Sequence, residues 1–237
     1  MNVVLFEPEE VGRPLARSDA RAVHILEVLR RGAGDELDAG LVNGPMARAT
    51  LTAVNQREIC LTFKWGNPPP PLDPITLIVG MPRPQTARKV LEEATSLGVA
   101  ALHFVAAGKA EGGYGRSKLW SSGEWRRHLI AGASQAFTTR IPSVVWGDTL
   151  ESTLGSQPAV GTRLALDNYE YADALSRVDV HAPVVLCIGA ERGWSGRERD
   201  LLRASGFTLV HAGPRVLRVE TVCVVALALV RSRLGLM

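Results

Sequence analysis

Cysteine is scarce in this chain. Cys60, Cys187 and Cys223 are odd in number, widely separated and set in apolar runs. That pattern fits reduced, buried thiols better than disulfides or a cysteine metal centre. Lysine is scarcer still relative to arginine, since 23 of the 27 basic residues are Arg. Long apolar runs are absent as well. The longest helical candidate, Val222 to Val230, is far short of the ~20 residues that cross a bilayer, so no membrane partner is expected. The start, MNVVLFEPEE, has no basic stretch leading into an apolar core, and no signal peptide is expected. His24, His103, His128, His181 and His211 are scattered without ligand spacing, so no metal is expected either.

What is present is enough apolar material for a sizeable core, at 46% of 237 residues. The formal charge of +3 and a pI near 9.0 are mildly basic. By itself that balance does not establish nucleic-acid binding, although the planar fork of arginine suits phosphate and stacks on bases. A cytoplasmic enzyme with one small and one large domain is the expectation. The boundary is the proline run Asn67 to Pro71, which can neither donate to a sheet nor continue a helix. It divides the chain into residues 1–70 and 73–237.

Before the prolines, Val3 to Phe6, Asp35 to Ala39, Ala47 to Val54 and Ile59 to Trp65 read as short strands, with one helix from Asp19 to Leu29. This predicts a small β-barrel. After them, strand and helix alternate, as in a parallel α/β sheet. Strands are expected at Ile75 to Val79, Leu102 to Val105, near Val144, and at Arg163 to Leu166, Val184 to Ile188 and Thr208 to His211. Helices are expected from Gln85 to Leu97, Gly123 to Phe137 and Thr221 to Leu234. Periodicity by itself cannot show a knot, because connections in ordinary folds do not thread.

The most informative stretch runs from Val184 to Glu220, where two glycine turns follow two apolar strands. In the first, Gly189-Ala-Glu-Arg-Gly193, the backbone can approach a ligand closely. A helix follows, opened by Ser195 with Glu198 three positions on, a capping-box spacing. Ser195 lacks a complete G-x-S-x-G elbow and reads as that cap rather than a nucleophile. The second turn, Ala212-Gly213-Pro214-Arg215, leads through Leu217-Arg218-Val219-Glu220 into the last helix. Two tight strand-to-helix connections and a nucleotide-sized binding site are both consistent with the spacing.

The two turns resemble the cofactor loops of the small-subunit (16S) ribosomal RNA uracil-N3 methyltransferases, members of the SPOUT class of knotted methyltransferases. There the loops read approximately GPEGG and LGPRxLRTETA; here they read GAERG and AGPRVLRVETV, with departures at Ala190, Arg192, Val219 and Val222. His24-Ile-Leu-Glu-Val-Leu-Arg30, Gly34-Asp35 and Gly40 are similar to the H-x-x-x-VLR…GD…G signature of the family's PUA-like RNA-binding domain. The segments Leu91 to Val99 and Gly132 to Pro142 also resemble the family, with Ser134 standing where glutamate is usual.

The resemblance implies an α/β fold: a C-terminal SPOUT-type parallel sheet with a trefoil knot plus a small N-terminal PUA-like β-barrel. It implies S-adenosylmethionine as cofactor, 16S rRNA or the small ribosomal subunit as partner, and a homodimer. The implied reaction is methyl transfer to uridine N3 in the decoding region. A paralogue acting on another RNA nucleotide, and a non-catalytic RNA-binding assembly factor, are the alternatives. For the cofactor it points to Leu166, Ile188, Gly189, Glu191, Gly193, Ala212, Gly213, Val216 and Leu217.

Arg218, Glu220 and Arg140 are the catalytic candidates. Arg218 would offset charge on the uracil oxygens, and Glu220 would accept the N3 proton. An internal Arg218–Glu220 ion pair that fixes the loop is the competing reading, and surface solubility competes for Arg140. His24, Arg30 and Arg116 are the RNA-binding candidates, with a helix residue hydrogen-bonded to the barrel as the other reading of His24. His24 and Arg30, six apart, are expected nearly two turns apart on one helix. Trp120 and Trp125 have two readings, stacking on unpaired bases or packing in the core.

Overall fold

In the computed structural model, which describes residues 3–237, the chain divides into two compact units: residues 3–71 with Ala133–Ile141, and Leu72–Gly132 with Pro142–Met237.

The first unit holds β1 (Val4–Phe6), β2 (Leu15–Ala16), α1 (Ala20–Val23), β3 (Glu36–Leu41), β4 (Met46–Val54) and β5 (Glu58–Trp65). They form one sheet in the order β1-β3-β4-β5-β2, antiparallel except where β1 pairs with β3. The β4–β5 hairpin turns at Asn55, whose Oδ1 accepts from the amides of Arg57 and Glu58 at 2.8 and 2.9 Å. Such an Asx turn closes the chain from within. Phe6, Ile25, Leu37, Leu51 and Ile59 are among the side chains of the unit's core. Gly40 is required sterically, because a Cβ there would lie 2.4 Å from Thr139 Cγ2.

The helix expected from Asp19 to Leu29 is only partly regular. Asp19 caps it by accepting from the Arg21 amide at 2.8 Å. After one turn it widens into a π-helical segment over His24–Val28, with the Leu29 amide donating to His24 O at 2.9 Å. Arg30 then leaves in the left-handed region at φ 53°. His24 and Arg30 therefore do not stand two regular turns apart, because i→i+5 bonding changes the angular step.

The second unit carries β6 (Asp73–Gly80), α2 (Pro84–Ser96), β7 (Val99–Ala106), α3 (Lys118–Ser121), α4 (Glu124–Gln135, its last turn counted with the first unit), β8 (Ser143–Thr149), α5 (Leu150–Gly155), β9 (Thr162–Leu166), β10 (Asp173–Ala174), β11 (Val184–Ile188), α6 (Gly196–Ala204), β12 (Thr208–His211) and α7 (Val219–Arg233). The seven strands lie in the order β10-β12-β9-β11-β6-β7-β8, and every pairing is parallel. β11 is buried along its whole length, as its unbroken apolar run VVLCI requires of a central parallel strand.

Two short elements, α3 and α5, and the two-residue strand β10 carry too little periodicity to be visible in the sequence. Trp120 on α3 belongs to the core, stacked on Trp146 at 5.4 Å, so stacking on an RNA base is excluded for it. Cys187 and Cys223 are buried thiols whose burial pushes both upward from the ordinary range. Cys60 is partly buried. At the far end of α7, Arg231 Nε donates to Asp73 Oδ2 at 2.7 Å and ties that helix to the start of β6.

Candidate functional site

In an open parallel sheet, ligands gather beyond the carboxyl ends of the strands. Here the segments following β6, β9, β11 and β12 meet there and enclose a cavity of about 630 Å³. Arg83, Gln85, Thr86 and Lys89 line it from the start of α2, Leu166 to Tyr169 from the end of β9, Ile188 to Gly193 from the first glycine turn, and Ala212 with Arg215 to Glu220 from the second.

The first turn is built by close packing. Gly193 sits at φ 64° and its amide donates to Ala190 O at 2.8 Å. A Cβ on Gly189 would lie 2.9 Å from Gly193 Cα, and one on Gly80 would lie 2.6 Å from the Ala190 amide. The glycine at 189 is thus demanded by the turn's own closure. Downstream, Ser195 caps α6 in a reciprocal box with Glu198. Glu198 also accepts from the Gly108 amide at 2.8 Å, so the cap holds the loop after β7 as well. On the other side, Glu191 Oε1 accepts from the Arg83 amide at 2.9 Å and joins the turn to α2.

The second turn is looser. Gly213 adopts φ 120°, a region open essentially to glycine, and a Cβ there would meet nothing within 4 Å. Its amide donates to His211 Nδ1 at 3.1 Å. Gly213 does not line the cavity, unlike the other cofactor candidates Leu166, Ile188, Gly189, Glu191, Gly193, Ala212, Val216 and Leu217. Leu166 and Ile188 are buried in the floor, whereas Val216 is 81% exposed at the rim.

Arg218 and Glu220 both line the cavity, at the cap and first turn of α7. The ion pair at Glu220 is with Lys89, 3.1 Å away, and not with Arg218. Burial raises the Glu220 carboxyl, but its own amide, Lys89 and Arg218 outweigh it and hold the group below the usual carboxylate range. It is an anion at neutral pH. Arg140 belongs to the first unit, where its Nη2 is 3.5 Å from Pro69 O and its Nε is buried without a hydrogen-bond partner. His24 is half-buried in that unit and makes no side-chain hydrogen bond among the described residues, so the barrel-bonded reading fails. Arg116 ends a 3-10 turn after β7, exposed and outside the lining, with Gly112 O 3.5 Å from its Nη2.

Sequence reading missed the β9 loop and the start of α2. Asp167 Oδ1 accepts from the amides of Tyr169 and Glu170 at 2.7 and 2.8 Å, an Asx turn that the Asp-Asn pair after an apolar strand does signal. Its other oxygen accepts from Arg199 Nε at 2.7 Å, a pairing with no local signal. Among the described residues no cluster of side chains has the makings of a metal site, and no helix is long and apolar enough to cross a membrane.

A parallel α/β unit with a cavity of this size over its strand ends has the form of a small-molecule-binding domain. The profile of the RNA methyltransferase domain family matches residues 68–231. The chain is 32% identical to the ribosomal RNA small subunit methyltransferase E of Treponema pallidum, over 97% of this chain and 90% of that protein. It is 24% identical to ribosomal RNA small subunit methyltransferase E 1 of Borreliella burgdorferi, over 99% of both. The fold matches a Legionella pneumophila putative methyltransferase solved with its cofactor S-adenosylmethionine, with a TM-score of 0.81 and 22% identity over 98% of each chain. The chain belongs to the ribosomal RNA small subunit methyltransferase E family.

Proposed function

We propose that this protein transfers a methyl group from S-adenosylmethionine to N3 of a uridine in the decoding region of 16S rRNA. One observation carries the reading: both glycine turns, Arg218 and Glu220 open onto a single cavity. Its volume lies within the range of small-molecule and cofactor sites. Its floor is apolar at Leu166 and Ile188, and backbone at Gly189, Gly193 and Ala212 offers hydrogen-bonding groups without side chains in the way. These groups fit a bent nucleoside, and Leu217 would pack on its base. The cofactor, when bound, supplies an electrophilic methyl group.

The residues of the chain do the positioning, which dominates a displacement of this kind. Arg218 would face the uracil oxygens and offset the charge that develops as the N3 proton leaves. Glu220 is suited to orienting Lys89 and Arg218, because a carboxylate held below its ordinary pKa is a weak general base. Solvent is then the proton acceptor. The first unit serves in this reading as a PUA-like β-barrel that holds RNA, with His24, Arg30 and Arg140 as contacts and Arg116 as another from the second unit. The second unit is read as the knotted domain, with α7 as the threaded element, in a cytoplasmic homodimer.

The test is a calorimetric titration with S-adenosylmethionine, followed by mapping of methylated uridines in small-subunit rRNA. Saturable binding of one cofactor per chain and methylation at N3 are expected. Cofactor binding with methylation at another position would replace the uridine-N3 assignment by a paralogous one. RNA binding without cofactor binding would refute the enzyme and leave an assembly factor.

A further inference from the structure

The loop after β9 holds an aromatic ring out in solvent. Tyr169 lines the cavity and is nevertheless 75% exposed. The ring is not on a slack segment. Its amide is held by Asp167 Oδ1 at 2.7 Å, and Asp167 Oδ2 is held by Arg199 Nε at 2.7 Å. The Arg199 guanidinium carbon lies over the ring, 5.2 Å from its centroid. Arg199 Nη1 reaches Glu170 Oε1 at 3.3 Å, so the next residue is held too. With side-chain exposures of 10% and 2%, the Arg199–Asp167 pair is a desolvated anchor rather than a surface contact.

Core packing gives no reason for this arrangement, since most of the ring stays in water. A planar ligand does. A tyrosine backed by a cation and open to solvent is a stacking surface, and a nucleobase stacks on such a ring whatever its identity. Arg192 and Arg215 line the same cavity, both exposed and making no side-chain ion pair among the described residues, and supply the cations that the adjoining phosphates need. The apolar slot at Leu166 and Ile188 lies in the floor, which leaves the rim to the RNA.

We infer that Tyr169 is the stacking platform for an unpaired base of the RNA substrate, and that Arg199 is the positioning residue that sets the ring. The inference rests on the RNA methyltransferase reading of this cavity, but its test does not need turnover. Fluorescence anisotropy with a labelled single-stranded RNA of mixed sequence would compare wild type, Tyr169→Ala, Tyr169→Phe, Arg199→Met and the double variant Tyr169→Ala with Arg199→Met. The same proteins would be titrated with S-adenosylmethionine by calorimetry.

Tyr169→Ala is expected to weaken RNA binding about tenfold, as loss of one stacked base does. Tyr169→Phe should stay close to wild type, and cofactor affinity should not change in either. Arg199→Met should weaken RNA binding in the wild-type background but add little to Tyr169→Ala, a non-additivity that a purely structural role would not produce. Unchanged RNA affinity in Tyr169→Ala, or no RNA binding by wild type, would overturn the inference. An equal loss of cofactor affinity would overturn it too, by assigning the ring to adenine. Wild-type protein that binds RNA with this dependence on Tyr169 but binds no S-adenosylmethionine would defeat the methyltransferase reading alone.

Discussion

Replacing Arg199 with methionine tests how the cavity is held together. The guanidinium makes a 2.7 Å bond to Asp167 inside the fold, where the two side chains are 10% and 2% exposed. Methionine fills similar volume but leaves the Asp167 carboxylate buried, with only the amides of Tyr169 and Glu170 as donors. Breaking one side of a buried pair costs about 3–5 kcal/mol. In a domain of this size each kcal/mol is worth roughly 2–4 °C in Tm, so a fall of about 6–20 °C is expected. Urea denaturation followed by circular dichroism would give the free energy directly. The double variant Asp167→Asn with Arg199→Met removes both charges but keeps a side-chain oxygen for the amides of Tyr169 and Glu170, and should recover much of the loss because no buried charge is left without a partner. A single variant that loses less than about 1 kcal/mol would refute the premise that the pair is desolvated. So would a double variant no more stable than the single one.

Arg218→Ala is expected to abolish methyl transfer while calorimetry still detects cofactor binding; near-normal turnover would remove Arg218 from the chemistry. The Glu220 carboxyl is held below the ordinary carboxylate value, so the stability it contributes is fully present above that value and is lost as the pH falls through its lower folded-state value. Urea midpoints of wild type and Glu220→Gln should therefore coincide in strong acid, separate as the pH rises through the lowered folded-state value, and reach their full separation once the pH exceeds the ordinary carboxylate value; a constant gap across the range would refute the assignment. Gly189→Ala should disrupt the first turn and cofactor affinity together, since the new methyl would sit 2.9 Å from Gly193 Cα. Gly213→Val meets open space instead, so its expected effect is backbone strain of about 1–3 kcal/mol rather than a blocked cavity; a denaturant titration showing no loss would count against it.

Several elements were determined by the sequence alone because their partners lie within a few residues. The Ser195–Glu198 capping box and the apolar central strand Val184–Ile188 follow from short-range geometry. The alternation of strand and helix after the prolines follows from hydrophobic period, and the residue patterns of the two glycine turns carried the family. The site itself required the fold. Glu191 reaches the Arg83 amide across 108 positions, and Lys89 reaches Glu220 across 131. No local rule pairs such groups, because which strand ends become neighbours is settled by sheet order and not by chain order. The same holds for Arg199 beneath Tyr169, whose bond to Asp167 spans 32 positions. The π-helical widening at His24–Val28 also escaped the sequence, whose apolar spacing reads as a regular helix, since one shifted backbone hydrogen bond leaves no mark in composition. Propensity and period act along the chain, whereas burial and charge pairing act across it, and only the folded chain decides the second.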